Sequence, residues 1–370
     1  MSEKHRTDSN AQRTFLRIAL RNGLLTQEQI EEAQDIQRQI AALGVASKSL
    51  SSILIEKGFL TKEQGDRIRV HMERLAPRAK ISGYEILSLL GKGSMGTVYK
   101  AIKVDTGRTL AVKILSRALQ KNKRFVGRFI KEAKAMARLD HTNIVQCIDV
   151  GISGGTYYMA MEFCNGPTVG DILGRGGSLN ELRAVQIVYQ VADALEHAHA
   201  DGILHRDIKP DNIMVVENGV AKLCDLGLVK DLDSDGSTTD IGVTMGTPNY
   251  ISPEQARGDD SVDFRSDIYS LGATFYHMVT GSTPFGYPNP AVVMVAHINE
   301  IPLKPRERNA DLRPETNRII LKMMRKSRSD RYQDHKALVS DLARLIKALG
   351  GSTERPPSPH LARRSRRRRR

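Results

Sequence analysis

His205-Arg206-Asp207-Ile208-Lys209-Pro210-Asp211-Asn212 is the stretch on which the reading of this chain turns. It holds a histidine, two aspartates, an asparagine and two cations. Residues 182–202 before it space their apolar side chains as a helix does and stop at Gly202. Pro210 stiffens the backbone, so the charged stretch reads as a rigid loop. Ile213-Met214-Val215-Val216 follows at once as an apolar strand, which sets the loop beside a core rather than out in water. Within it Asp207 and Asn212, five residues apart, suit a proton acceptor and a metal ligand.

Upstream, the strand pattern 84–90 runs into Gly91-Lys92-Gly93-Ser94-Met95-Gly96-Thr97-Val98. Glycines there permit positive φ and let backbone N–H groups approach phosphates. A glycine-rich hairpin and a dinucleotide-binding turn both look like this, but the second needs a helix next. Here residues 98–101 continue as a strand, and Thr106-Gly107 turns the chain back into Thr109–Ile114. The context favours a phosphate-covering β-hairpin. Lys113 lies among apolar neighbours on that second strand, so it needs a buried partner. Residues 128–139 have helical spacing and carry Glu132, the proposed partner, with Met136 on the same face toward the core. The alternative is a surface Glu132 beside Lys131 or Lys134. Strands are expected at 144–152 and 156–163, joined through Gly154-Gly155, and at 221–224.

In this order the stretches resemble the protein kinases, and among them the eukaryotic-like (Hanks-type) bacterial serine/threonine kinases. His205–Asn212 is similar to their H-R-D-x-K-x-x-N loop, in which Lys209 marks the serine/threonine form. Gly91–Val98 is similar to their G-x-G-x-x-G-x-V. The likeness covers about 84–348 and implies an α+β, two-lobed protein kinase fold. Its small lobe (84–161) would be an antiparallel sheet with one main helix. A hinge (162–165) would lead to a mostly helical large lobe (166–348), all preceded by a small all-α module.

The resemblance also implies transfer of the ATP γ-phosphate to Ser/Thr of protein substrates, with Mg2+ or Mn2+. Gly91, Lys92, Gly93 and Gly96 would cover ATP, joined in its site by Val98 and Ala111. Met161 would close the back of the pocket, and backbone groups of Glu162 and Cys164 would bond adenine. Lys113, held by Glu132, would position the phosphates. Asn212 would hold metal together with Asp225, which opens Asp225-Leu226-Gly227 where the family carries Asp-Phe-Gly. Leu226 keeps an apolar side chain there and loses the ring. Asp207 would accept or orient the substrate hydroxyl, and Lys209 would stabilise the moving phosphate. Residues 225–254 are similar to an activation segment. Thr238 or Thr239 first and Thr244 second are the expected autophosphorylation sites, their phosphate pairing with Arg206. Thr247 would dock substrate and bridge Asp207 and Lys209. Ser252-Pro253-Glu254 stands for the family's Ala-Pro-Glu. Asp267 would brace the catalytic loop, and Arg331 would pair with Glu254.

The remaining sequence bounds the setting. Residues 14–75 contain a repeat at an offset of 35, in which Gly23 and Gly58 end helices while Thr26 and Thr61 start new ones, each with Gln three residues on. This reads as two helix–turn–helix units that serve docking or oligomerisation, or as an inert appendage. The layout resembles small helical modules at the N-termini of secretion-type ATPases. Residues 1–13 read as a disordered start, 76–83 as a linker and 349–370 as a disordered Arg-rich tail. Half of the net charge of +14 sits on Arg363, Arg364 and 366–370, so basicity is largely a tail property. The tail's partner would be nucleic acid, polyphosphate or an anionic membrane surface. No apolar run is long enough for a membrane span and no secretory signal opens the chain, so a cytoplasmic protein is expected. Cys147, Cys164 and Cys224 fit no disulfide or metal spacing and read as buried thiols. The rival function is a nucleotide-binding signalling scaffold without catalysis, which loss of Lys113, Asp207 or Asp225 would have favoured.

Overall fold

Two glycines set the first part of the chain. Gly23 and Gly58 take left-handed backbone, with φ of 64° and 72°, and each turns a helix end in the same way. Leu24 N donates to Ala19 O (2.9 Å), and 35 residues later Phe59 N donates to Leu54 O (3.0 Å). Both following helices open with reciprocal caps. Thr26 N donates to Gln29 Oε1 (2.9 Å) and Gln29 N to Thr26 Oγ1 (3.3 Å); Thr61 and Gln64 repeat this at 2.8 and 3.1 Å. The helices after Gly23 are α1 (Gln27–Ala42), α2 (Leu50–Glu56) and α3 (Lys62–Leu75). Ala19, Ile30, Ala33, Leu54, Leu60 and Ile68 share one core, so the two repeats bury their apolar faces together.

The computed structural model describes residues 15–16, 18–42, 49–75, 80–93, 95–225, 248–259 and 261–354. These fall into two units: residues up to Lys80 with Ile86–Leu89, and Ile81–Glu85 with those from Leu90 onward.

A five-stranded sheet follows, of which all but Ile86–Leu89 belongs to the second unit. It contains β1 (Tyr84–Lys92), β2 (Gly96–Lys103), β3 (Arg108–Leu115), β4 (Cys147–Ser153) and β5 (Thr156–Glu162), in the order β1-β2-β3-β5-β4. The β2–β3, β3–β5 and β4–β5 pairs are antiparallel, and their register sets Val98 opposite Lys113 and Ala111 opposite Met161. Gly96 is required sterically, because a Cβ there would lie 1.9 Å from Ile114 O. Helix α4 (Lys123–Arg138) packs Phe129, Ala133 and Met136 into a core with Leu115 and Met159. Ala194, Ala198 and Ile203 of the large lobe complete it.

The large lobe contains α5 (Val169–Gly176), α6 (Glu181–Ala200), the ribbon β6 (Ile213–Val215) and β7 (Ala221–Leu223), and α7 (Pro253–Arg257). It continues with α8 (Phe264–Thr280), α9 (Pro290–Asn299), α10 (Pro314–Met323) and α11 (His335–Ala348). Helix α8 is buried on nearly every side, as an all-round apolar helix must be.

The structure moves several expected boundaries. The strand expected from Ile144 starts at Cys147, because residues 143–145 pair with β7 instead. Leu223 N donates to Asn143 O (2.8 Å) and Val145 N to Leu223 O (2.9 Å). Part of the expected linker is fixed, since Ser82 N donates to Ser153 Oγ (2.8 Å). The start of the expected disordered tail is also held: Gly351 N donates to Ile346 O (2.9 Å). Residues 1–14 and 355–370 lie outside the described residues.

One buried and one half-buried histidine in the large lobe, His297 and His335, give stability a pH dependence. Burial, with Lys326 close by, pushes His297 down to about 3, and burial beside His199 pushes His335 down to about 4. Both fold neutral, so their contribution is full above the ordinary value of 6.5 and is lost as pH falls through it. The melting temperature is therefore expected to drop steadily from about pH 7 to about pH 5. A flat profile over that range in thermal scans would contradict this.

Candidate active site

The charged loop is held from below by α8. Asp267, in the first turn of that helix, accepts His205 N (2.8 Å) and Arg206 N (2.7 Å). Those bonds keep Arg206 in left-handed backbone (φ 63°), an unfavourable region for a residue with a Cβ. Asp225, across the cleft, is strained likewise at φ 53°. Gln255 Nε2 donates to Arg206 O (3.0 Å), so the loop is pinned from two helices. The buried His205 ring accepts Asp207 N at Nδ1 (3.2 Å), which leaves Nε2–H to donate to Cys224 O (3.0 Å). Burial lowers the pKa of His205, in keeping with this neutral tautomer.

Above this support the polar groups converge. Lys209 Nζ donates to Asp207 Oδ2 (2.8 Å), and Asn212 Nδ2 donates to Asp207 O (2.8 Å) and Oδ2 (3.2 Å). Thr247, expected between Asp207 and Lys209, lies outside the described residues, and here the two meet directly. Asn212 is buried within a single turn of 3-10 helix, Pro210–Asn212.

Lys113 reaches the same cleft from β3, and its closer partner differs from the one expected. Its Nζ lies 2.8 Å from Asp225 Oδ1 but 3.9 Å from Glu132 Oε1. Burial alone would lower the Lys113 pKa, yet Asp225 and Glu132 carry it above its usual value. Partial burial would lift the Asp225 carboxyl, but Lys113 holds it below the usual carboxylate range. Glu132 is left poorly served. Its Oε2 is buried without a hydrogen-bond partner among the described residues, and burial pushes its carboxyl up to about 7.

A testable asymmetry follows from that shift. Keeping Glu132 ionised costs roughly 3 kcal/mol at about 1.4 kcal/mol per pKa unit. Folding favours its protonated form, so stability falls as pH rises from 4.5 to about 7 and is level above. Glu132→Gln is therefore expected to melt above wild type at about pH 8, with the gain gone near pH 5. Equal melting curves at both pH values would contradict the shift.

At the start of the hinge, Glu162 N donates to Gln146 O (3.0 Å), so an adenine contact at Glu162 falls to its carbonyl oxygen. The Glu162 side chain is buried against Lys222. Gly93 N and Gly96 O (2.9 Å) close the tight glycine turn of the β1–β2 hairpin, with Lys92 exposed beside it. Cys147 is buried as expected, while Cys164 and Cys224 are only half-buried. Burial raises all three thiols, Cys147 to about 11 and Cys164 to about 12, which keeps them protonated and unreactive.

Away from the cleft, Arg331 forks onto Glu254 at 2.6 and 2.8 Å. Thr238, Thr239 and Thr244 lie outside the described residues, as do Leu226 and Gly227. Several contributors were missed by sequence reasoning. His199 Nε2 meets Asp267 Oδ2 (2.8 Å), and His199 Nδ1 meets His335 Nε2 (2.7 Å). Gln255, Ser266 and Lys222 were missed as well. Gln255 alone carried a local signal, the Ser-x-x-Gln cap with Ser252.

The model of the family described as protein kinase domain matches residues 84–342. A probable serine/threonine-protein kinase of Clostridium perfringens, CPE1738, is 42% identical over 264 residues, covering 71% of this chain and 38% of its own length. The serine/threonine-protein kinase PknB of Mycolicibacterium smegmatis is 39% identical over 267 residues, covering 71% of this chain and 43% of the relative. The chain thus spans less than half the length of these curated relatives. Among solved structures, the PknI kinase domain of Mycobacterium tuberculosis is similar at a TM-score of 0.58 and 25% identity. That match covers 73% of this chain and 98% of the PknI chain.

Proposed function

The chain belongs to the protein kinase domain family, and from that footing we propose that it is an ATP- and Mg2+-dependent serine/threonine protein kinase. The observation that carries the reading is the convergence of Lys113, Asp225, Asn212 and Asp207 on one cleft, linked by the bonds above. The donor set fits the metal. Asn212 turns its amide nitrogen to Asp207, which leaves the amide oxygen, and Asp225 adds a carboxylate; these are the hard oxygen donors Mg2+ takes. Bound there with ATP, the metal would neutralise the charge of the β- and γ-phosphates.

The chain's own residues then have separate tasks. Lys113 leaves Asp225 for the phosphates, with Glu132 beside it as the second carboxylate. Asp207 takes or orients the proton of the Ser/Thr hydroxyl, its carboxylate aimed by Asn212 and Lys209. Lys209 faces the phosphate in flight. Positioning and charge stabilisation carry the rate, since phosphoryl transfer asks little covalent chemistry of the protein. Thr238, Thr239 and Thr244 are proposed as its own phosphorylation sites, read out by Arg206. Residues 14–75 are proposed for docking or oligomerisation, and the Arg-rich tail for an anionic partner. No helix among the described residues is long and apolar enough to cross a membrane; action in the cytoplasm, where ATP and Mg2+ are supplied, is part of the proposal.

The test is incorporation of labelled γ-phosphate into the chain and into a generic basic protein, followed by site mapping. Mg2+-dependent label on Ser and Thr supports the reading. Nucleotide binding without label, under all divalent metals tried, overturns it in favour of the scaffold.

A further inference from the structure

We propose that Glu162 and Lys222 are positioning residues of the nucleotide site, which hold the hinge in register with the strand that delivers Asp225; this rests on the kinase reading above. Glu162 opens the hinge at the end of β5, and Lys222 lies on β7, three residues before Asp225. Their side chains meet at 2.5 Å, and the two residues are only 4% and 5% exposed. The pair is part of a longer polar chain. Cys164 Sγ–H points at the same Glu162 Oε1 (3.9 Å), two residues further along the hinge. On the other side, Cys224 N and Sγ both donate to Asn212 O, at 2.9 and 3.3 Å. Lys222 and Cys224 lie two residues apart on one backbone, which relates the contacts at the hinge to those at Asn212, one of the two residues proposed to hold metal.

Its energetics argue for direction rather than strength. A buried ion pair loses in desolvation much of what it gains in attraction, and apolar side chains of equal volume often replace it without loss of stability. An apolar pair fixes no relative orientation; an ammonium on a carboxylate fixes one. The hinge and β7 are not paired with each other, since β5 borders β3 and β4 while β7 borders β6. Their backbones are tied through residues 143–146, where Val145 N donates to Leu223 O and Glu162 N to Gln146 O. The ion pair adds a direct side-chain link between the hinge and β7.

The experiment compares four variants of the full chain: Lys222→Met, Glu162→Gln, the apolar double Glu162→Leu/Lys222→Met, and the reversed double Glu162→Lys/Lys222→Glu. Melting temperature and the Kd of Mg-ATP are measured for each, below the lowest melting transition. The single variants are expected to melt early, because each removes the opposite charge that this pair supplies to a buried side chain. The apolar double is expected to regain most of the melting temperature yet bind Mg-ATP about tenfold more weakly, a coupling ordinary for residues in one network. The reversed pair is expected to recover affinity. Wild-type affinity in the apolar double, or losses of affinity that simply track melting temperature across all four, would overturn the proposal. The readout is binding, so a wild-type chain that binds Mg-ATP but transfers no phosphate sinks the kinase reading and leaves this test standing.

Discussion

Replacing Asp207 with asparagine is expected to lower kcat for phosphotransfer by roughly 10²–10⁴-fold, the usual contribution of a positioned general base. Nucleotide affinity should stay close to wild type. The geometry makes this a clean substitution. Asp207 Oδ2 accepts from Lys209 Nζ and Asn212 Nδ2, and an asparagine oxygen in the same place accepts from both. Asn212 also holds the Asp207 carbonyl, which the substitution leaves alone. What disappears is the negative charge and the capacity to take a proton. An interaction needed only in the transition state lowers kcat and kcat/KM together and leaves binding intact. Steady-state kinetics on a protein substrate, beside a nucleotide titration, measures both. A variant that turns over at the wild-type rate would remove Asp207 from its proposed role.

Legibility in the sequence followed the reach of each interaction along the chain. Caps and turns are written within four or five residues, and they were readable. Thr26 with Gln29, and Thr61 with Gln64, showed their reciprocal bonds as a repeated motif before any fold was known. Gly96 was readable as a glycine for positive φ and phosphate approach, whereas the structure requires it because a Cβ there would meet the β3 backbone at Ile114 O. Pairings across long separations were legible only where the family resemblance supplied them, as for Glu254 with Arg331. The Glu162–Lys222 pair spans 60 residues, and the His199–His335 contact spans 136. Nothing local distinguishes such a lysine or histidine from a solvated one. Lys113 shows a subtler limit. The sequence demanded a carboxylate partner for it and offered Glu132, but distance gives the shorter contact to Asp225. Residues 144–145, expected in the strand 144–152, pair with β7 for the same reason, since an apolar run records that a strand exists and not which strand it borders.

Arg331→Met is expected to produce the largest loss of stability of any single change considered. Removing one partner of a buried pair typically costs about 3–5 kcal/mol, which for a domain of this size lowers the melting temperature by roughly 10 °C. The Arg331 side chain is 0% exposed and that of Glu254 2%. All five guanidinium N–H groups are used. Two go to the Glu254 oxygens, and the other three to the carbonyls of Arg325, Arg265 and Lys326 at 2.7, 2.9 and 3.0 Å. Methionine fills much of the volume but satisfies none of these acceptors. The pH dependence identifies the cause. Burial would raise the Glu254 carboxyl, but Arg331 and Ser266 hold it below its usual value of 4.5. Its stabilising contribution is therefore present above pH 4.5 and is lost only as pH falls through the depressed value. Without Arg331 the buried carboxylate is uncompensated and takes up a proton more readily. The deficit of the variant should accordingly be larger at about pH 8 than at about pH 5. A deficit equal at both would assign the loss to the three carbonyls alone. The double Glu254→Leu/Arg331→Met separates the contributions further. It removes the stranded charge but leaves those carbonyls unsatisfied, so it should recover part of the melting temperature and not all of it.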